Sequence, residues 1–270
     1  MSPMLSDAVR REAADALVAA ERDRAPIPPL RETWPELDVV DAYEIQLLNI
    51  RRRLDAGATV NGHKVGLSSK AMQEMMGVDE PDYGHLLADM ELPQSVNGED
   101  RPVPAGRYCY PRVEVEVGFI LGEDLPGEGC TEQDVIDATE ALAPAIELID
   151  SRIADWDIRI GDTIADNASS AGYVLGPDRV KPTDIDLKTI EARLHRNGEQ
   201  VAEGRSDAVL GDPLVAVAWL ARKVASFGVT LEAGNVILPG SVHRAIDVRP
   251  GDDFEAIFDG LGSVRLSFTD

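Results

Sequence analysis

The stretch NVILPGSVHRAIDVRPGDDFEAIFDGLGSVRLSF, residues 235–268, decides the fold. Short apolar runs, Val236-Ile-Leu238 and Ala256-Ile-Phe258, alternate with the turn signals Pro239-Gly240, Pro250-Gly251 and Asp259-Gly260. This is the pattern of an antiparallel, rolled sheet. Strands dominate from Tyr108 onward, and strand and helix do not repeat in the order that a doubly wound or barrel fold requires. The class is therefore α+β.

Working back from that sheet, the N-terminal end reads as helix. Ser6 caps an amphipathic run to Arg22, with Val9, Ala13, Leu17 and Ala20 on one stripe, and Pro26, Pro28 and Pro29 end it. Asp38 caps a second helix running to Leu54, with Val40, Tyr43, Leu47, Ile50 and Leu54 on its apolar face. The segment Asn61 to Asp89 then loses any clean period and is dense in Gly, Ser, Lys and Asp, which suits chemistry better than core. Two further helices are marked inside the sheet region. One runs from Thr131 to Leu142, with Thr131 and Asp134 forming a capping box. The other follows Asp212-Pro213 and closes at Phe227 before Gly228. The chain divides into a small helical N-terminal region, residues 1–75, and a sheet domain, residues 76–270.

With 270 residues and 44% hydrophobic content, the chain buries a full core. Its net charge of −23 disfavours nucleic acid and anionic membrane as partners, so an anionic substrate needs a locally cationic site. Cys109 and Cys130 form no CxxC motif, which indicates neither a disulfide framework nor a thiolate zinc site. Acidic residues interrupt every apolar run in the first 24 residues, unlike a signal peptide, and no apolar stretch reaches membrane-spanning length. A reducing, cytoplasmic setting is expected.

The chemistry centres on Pro111-Arg-Val-Glu-Val-Glu-Val-Gly-Phe-Ile-Leu121. Strict alternation puts Glu114 and Glu116 on one strand face and Val113, Val115 and Val117 on the other. Same-side residues two apart lie roughly 6.5–7 Å apart at the backbone, within reach of one divalent cation. A half-solvated antiparallel strand gives the same alternation. Downstream, Glu147 is a lone acid between Ile146 and Leu148 in an apolar run, and a carboxylate there needs a partner. A salt bridge to Arg112 or Arg152 is one solution; a shared hard cation, Mg²⁺ or Mn²⁺, is the other.

Six motifs follow one another in order. They are Gly62-His-Lys-Val-Gly-Leu-Ser-Ser-Lys70, Pro81-Asp-Tyr-Gly84, Val113-Glu-Val-Glu116, Glu147-Leu-Ile-Asp-Ser-Arg152, Asp166-Asn-Ala-Ser-Ser170 and Gly234-Asn-Val-Ile-Leu-Pro-Gly-Ser241. Together they resemble the 2-hydroxypenta-2,4-dienoate (2-keto-4-pentenoate) and 2-hydroxyhexa-2,4-dienoate hydratase branch of the fumarylacetoacetate hydrolase superfamily. The resemblance implies a mixed, rolled β-sheet domain around the site and a small helical N-terminal region. It implies that Glu114, Glu116 and Glu147 hold a divalent metal, and so decides between the two readings of the strand.

The resemblance also places Lys64 and Asp82 beside the metal as a proton-transfer pair; without it they read as a salt bridge across a loop. Asn167, Ser169 and Ser170 offer short polar donors, and Gly240 and Ser241 offer backbone N–H groups, for a substrate carboxylate or enolate oxygen; ordinary turn chemistry explains them equally. Lys70 faces either solvent or a substrate carboxylate. Leu67, with Met72, Met75 and Met76, forms an apolar cluster that suits the substrate's distal end or simply core. His195 reads as surface, His63 and His85 border the Lys64–Asp82 region, and His243 follows the Gly240-Ser241 turn. No His–Glu pair of the kind used by the superfamily's C–C bond hydrolases is evident.

The implied reaction is hydration of a 2-hydroxy-2,4-dienoate to a 4-hydroxy-2-oxo acid, in meta-cleavage breakdown of aromatic or steroid rings. The sister activity, 2-oxo-3-hexenedioate (4-oxalocrotonate) decarboxylation, needs a pocket for a second carboxylate. A non-catalytic scaffold subunit would lack metal binding. The resemblance further implies a homo-oligomer, and association with a sister decarboxylase or a downstream aldolase.

Overall fold

The computed structural model describes residues 5–94 and 101–270. Helices α1 (Asp7–Asp23), α2 (Leu30–Thr33) and α3 (Val39–Asp55) precede β1 (Val60–Gly66), α4 (Lys70–Met76), β2 (Asp82–Leu87), β3 (Val103–Pro104) and β4 (Arg112–Leu121). Then come α5 (Glu132–Ala138), β5 (Thr139–Ile149), α6 (Ile160–Ala165), β6 (Ser170–Leu175), β7 (Glu191–Arg196) and β8 (Glu199–Arg205). The chain closes with α7 (Pro213–Ala225), β9 (Val236–Leu238), β10 (Ile246–Asp247), β11 (Asp253–Phe258) and β12 (Gly262–Thr269). One sheet has the order β2-β1-β9-β4-β5-β6, with β10 also paired to β4; the second runs β3-β12-β11-β7-β8. Both are mixed, because β1 pairs β9 and β12 pairs β3 in parallel while the other pairs are antiparallel. The fold is thus an α+β arrangement of mixed sheets preceded by helices.

The helix starts follow their caps. Ser6 accepts from the amide of Val9, Asp38 from that of Asp41, and Asp212 from that of Leu214, each satisfying an orphan N–H of a first turn. On α1, Ala13, Leu17 and Ala20 are buried; on α3, Tyr43, Leu47 and Ile50 are. Val40 and Leu54, expected on the apolar face of α3, are exposed, and Ala42, Ile45 and Gln46 are buried in their place.

Two expectations are corrected. Helix α5 ends at Ala138 rather than Leu142, since β5 starts at Thr139 and pairs with β4 up to Leu121. Ladder pairing overrides local helix propensity there. The aperiodic segment from Asn61 to Asp89 contains β1 and β2, and every residue of β2 is buried. A strand covered on both faces does not alternate, so neither showed a period of two.

Candidate metal centre and proton-transfer pair

Ten residues of β4 pair antiparallel with β5 in a register that sets Glu114 directly opposite Glu147 and Glu116 opposite Ala145. Side chains opposite one another share a face, so three carboxylates project to the same side of the sheet. Each offers an oxygen within 4.8 Å of the others. Glu116 and Glu147 are fully buried and Glu114 is partly exposed, towards the mouth of the site.

This cluster is costly by itself. Burial, then repulsion from Glu147 and Glu114, drives the Glu116 carboxyl well above the usual carboxylate range. Burial pushes Glu114 up to about 7, with Lys64 opposing and Glu147 adding to it. Among the described residues, Glu116 Oε1 and both Glu147 oxygens have no hydrogen-bond partner. Buried acceptors of this kind call for a cation or a proton. Three oxygen donors without histidine or cysteine fit a hard divalent ion.

Gly240 and Ser241 brace the cluster. The Gly240 N–H donates to Glu116 Oε2 at 2.7 Å. Ser241 Oγ accepts from the Val115 N–H at 3.2 Å and lies 3.3 Å from the Val115 carbonyl. Of the two N–H groups read from sequence as donors to substrate, that of Gly240 is given to Glu116; Ser241 bonds the glutamate strand through its hydroxyl and lines a cavity beside Glu114. Gly240 has φ +128, and a Cβ there would lie 1.9 Å from Ser68 Oγ, so no other residue fits.

Lys64 lies on β1, which the sequence division put within residues 1–75 but which is an interior strand of the larger sheet. Its ammonium sits 3.3 Å from Glu147 Oε2 and donates to the Ala168 carbonyl at 3.0 Å. The salt-bridge partner of Glu147 is therefore Lys64. Arg152 pairs with Asp166, and Arg112 with Asp247. Burial works against the Lys64 charge, but Glu147, Glu114, Asp82 and Glu116 outweigh it and hold the ammonium protonated.

In the β1–β2 register Lys64 faces Gly84 and Asp82 faces Gly66, so each charged residue stands opposite a glycine and the two are diagonal neighbours. A Cβ on Gly66 would lie 2.1 Å from Asp82 Oδ1, so the Asp82 carboxyl lies across the space that glycine leaves. Burial pushes Asp82 up to about 6, against the Lys64 ammonium and the Thr163 hydroxyl.

Asn167, Ala168 and Ser169 are three successive residues at positive φ, 54, 50 and 56°. Ser169 and Ser170 are buried, with hydroxyls unpartnered among the described residues. The Asn167 amide is engaged at both ends by the His85 backbone, at 2.8 and 3.0 Å. His63 and His85 project to the other face of the sheet, their rings 4.8 Å apart beside Tyr83. Lys70 is exposed at the start of α4.

A cavity of about 300 Å³ opens beside Glu114. Leu67, Met72, Ala208 and Val242 give it an apolar wall, and Ser241, His243 and Arg244 are among its polar members, with Ser68 and Ser69. His243 and Arg244 went unassigned in the sequence because nothing local ties them to the glutamates. Met75 is exposed and away from this wall. Cys109 and Cys130 are free thiols. No helix among the described residues is long and apolar enough to cross a membrane.

The model of the fumarylacetoacetate (FAA) hydrolase C-terminal family matches residues 62–269. The chain is 46% identical to 2-keto-4-pentenoate hydratase of Paraburkholderia xenovorans (strain LB400), over 96% of this chain and 94% of that protein. It is 40% identical to 2-hydroxyhexa-2,4-dienoate hydratase of Comamonas testosteroni, over 94% and 95%. Among solved structures, 4-oxalocrotonate decarboxylase from Pseudomonas putida G7, complexed with magnesium and adipate, superposes with a TM-score of 0.92 at 34% identity, covering 98% and 99%.

Proposed function

The chain belongs to the fumarylacetoacetate hydrolase family, and on that premise we propose that it is a divalent-metal-dependent hydratase. Its reaction is addition of water to a 2-hydroxy-2,4-dienoate, giving a 4-hydroxy-2-oxo acid. The single observation that carries the reading is the juxtaposition of three glutamates, one protonated lysine and one aspartate poised near neutrality, beside an apolar cavity.

Glu114, Glu116 and Glu147 would hold Mg²⁺ or Mn²⁺, and the ion, when bound, would supply Lewis acidity to the 2-oxo acid head of the substrate. Asp82, titrating at about 6, takes the proton from the 2-hydroxyl and returns it at the far carbon of the diene. This gives a 2-oxo-3-enoate whose fourth carbon is electrophilic. Water adds there, its oxygen to carbon 4 and its proton to carbon 3. The Lys64 ammonium has three N–H bonds; one goes to Ala168, one faces Glu147, and the third is left for the reacting oxygen. The Ser169 and Ser170 hydroxyls are available to a substrate oxygen, and Leu67 and Met72 receive its apolar end.

Arg244 supports a second reading. It lines the same cavity and offers a distal carboxylate its partner, as decarboxylation of 2-oxo-3-hexenedioate would need. Incubating the Mg²⁺-loaded protein with 2-hydroxypenta-2,4-dienoate, 2-hydroxyhexa-2,4-dienoate and 2-oxo-3-hexenedioate separates the two. Formation of the 4-hydroxy-2-oxo acid supports the hydratase; release of CO₂ from the dicarboxylate without hydration overturns it. A place in the meta-cleavage of aromatic or steroid rings, and assembly into a homo-oligomer, fit the same reading.

A further inference from the structure

We propose that Asn167 is a positioning residue rather than a substrate ligand: it clips a left-handed turn onto the edge of β2 and so fixes the Lys64 ammonium. The inference rests on the hydratase reading for its kinetic arm.

Strand β2 ends the larger sheet, so one row of its backbone groups faces away from β1. At His85 that row is filled by a side chain. The His85 N–H donates to Asn167 Oδ1 at 2.8 Å, and Asn167 Nδ2 donates to the His85 carbonyl at 3.0 Å. The amide thus stands in for one residue of a neighbouring strand, and Asn167 is not part of the lining of the cavity beside Glu114. The backbone is as closely fitted as the side chain. A Cβ on Gly84 would lie 2.4 Å from the Asn167 carbonyl oxygen, so the turn lies directly against that glycine. Gly84 in turn faces Lys64 across the β1–β2 pair.

What the clip holds is a strained conformation. Asn accepts the left-handed region, but Ala168 and Ser169 do not do so readily, and three such residues in a row persist only where the surroundings over-determine them. The far end is tied by the Asp150 N–H to the Ser169 carbonyl at 2.8 Å, and the near end by Asp166, whose carboxylate pairs with buried Arg152. Between these ties the Ala168 carbonyl points at Lys64 Nζ. The motifs Pro81-Asp-Tyr-Gly84 and Asp166-Asn-Ala-Ser-Ser170 are therefore two halves of one support.

The test uses the Mg²⁺-loaded protein and Asn167→Gly, which keeps left-handed freedom but removes both hydrogen bonds. Misplacing the ammonium by part of an ångström is expected to lower kcat about 10- to 100-fold, with KM and Mg²⁺ affinity within about twofold. Labelling of Lys64 by an amine-selective reagent, read by mass spectrometry, is expected to speed up at least roughly tenfold as its support loosens. A rise in KM with kcat unchanged overturns the proposal in favour of direct substrate binding; wild-type kcat together with wild-type labelling also overturns it. If the wild-type protein turns over no dienoate, the hydratase reading fails, and labelling alone then decides for or against the clip. If Asn167→Gly does not fold, Asn167→Asp keeps the acceptor and loses the donor, and the same two readouts apply.

Discussion

Glu114 and Glu147 face each other directly across the antiparallel pair β4–β5, and Glu116 follows two residues along on the same face. Their mutual repulsion in a buried setting is the physical core of the site. It makes the metal-free centre a place where protons and a divalent cation compete for the same oxygens.

That competition fixes a sign. The Glu116 carboxyl lies well above its ordinary value and Glu114 at about 7, so between the unfolded value and these the folded, metal-free protein keeps protons that the unfolded chain has lost. Their contribution to stability is therefore present at low pH and lost as pH rises. Without metal, Glu116→Gln should be more stable than wild type by a margin that grows from pH 5 to pH 8, read by thermal melting. Saturating Mn²⁺ should reverse the order at pH 8, because the variant lacks a ligand. Equal melting shifts with Mn²⁺ for both proteins would remove Glu116 from the metal set.

Asp82 carries the proton in the proposed reaction, so Asp82→Asn should lower kcat by about 10²- to 10⁴-fold while leaving Mn²⁺ affinity near wild type. Stopped-assay turnover and calorimetric titration read the two separately. Loss of metal binding in this variant would place Asp82 in the metal set instead. The acid limb of the wild-type rate profile should fall near pH 6, where Asp82 gains its proton.

Much of this was legible in the residues and part was not. Alternation alone displayed Glu114 and Glu116 on the face opposite Val113, Val115 and Val117, although burial does not alternate with it: Glu116 is as buried as the valines. The facing of Glu147 depends on the β4–β5 register, a non-local property that no spacing in the chain reveals. Lys64 and Asp82 are on strands buried on both faces, whose glycines and charges read as loop because the period is lost. Gly240 and Asn167 have the right chemistry for a ligand, yet the Gly240 N–H is spent on Glu116 and the Asn167 amide on the His85 backbone. Sequence identifies a donor; only the fold says to whom it donates.

His63 and His85 lie on the opposite face of the sheet from the site, and burial holds both below the ordinary histidine value, His85 at about 4. The folded state therefore binds fewer protons than the unfolded chain below pH 6.5, and stability is lost as pH falls from there towards 4. For His85 the loss amounts to on the order of 3 kcal/mol. Relative to His85→Gln, the wild-type protein should lose ground in chemical denaturation as pH is lowered over that window. A difference between the two that does not change with pH would mean that His85 titrates normally.

Two glycines of β1 separate stability from catalysis. A Cβ on Gly62 would lie 1.8 Å from the Val236 carbonyl oxygen, which belongs to the backbone of β9 and cannot yield without parting the parallel pair that joins the β1–β2 edge to the rest of the sheet. A Cβ on Gly66 would meet only the end of the Asp82 side chain, which can rotate away. Gly62→Ala should therefore cost several kcal/mol and give poorly folded protein, as strain forced into a packed core does. Gly66→Ala should melt close to wild type and bind Mn²⁺ normally, yet lose turnover about 10²-fold, because it displaces the proton carrier and little else. Melting and kcat measured on the same preparations check both. A Gly66→Ala protein with full turnover would show that the Asp82 carboxyl need not lie across Gly66 to work.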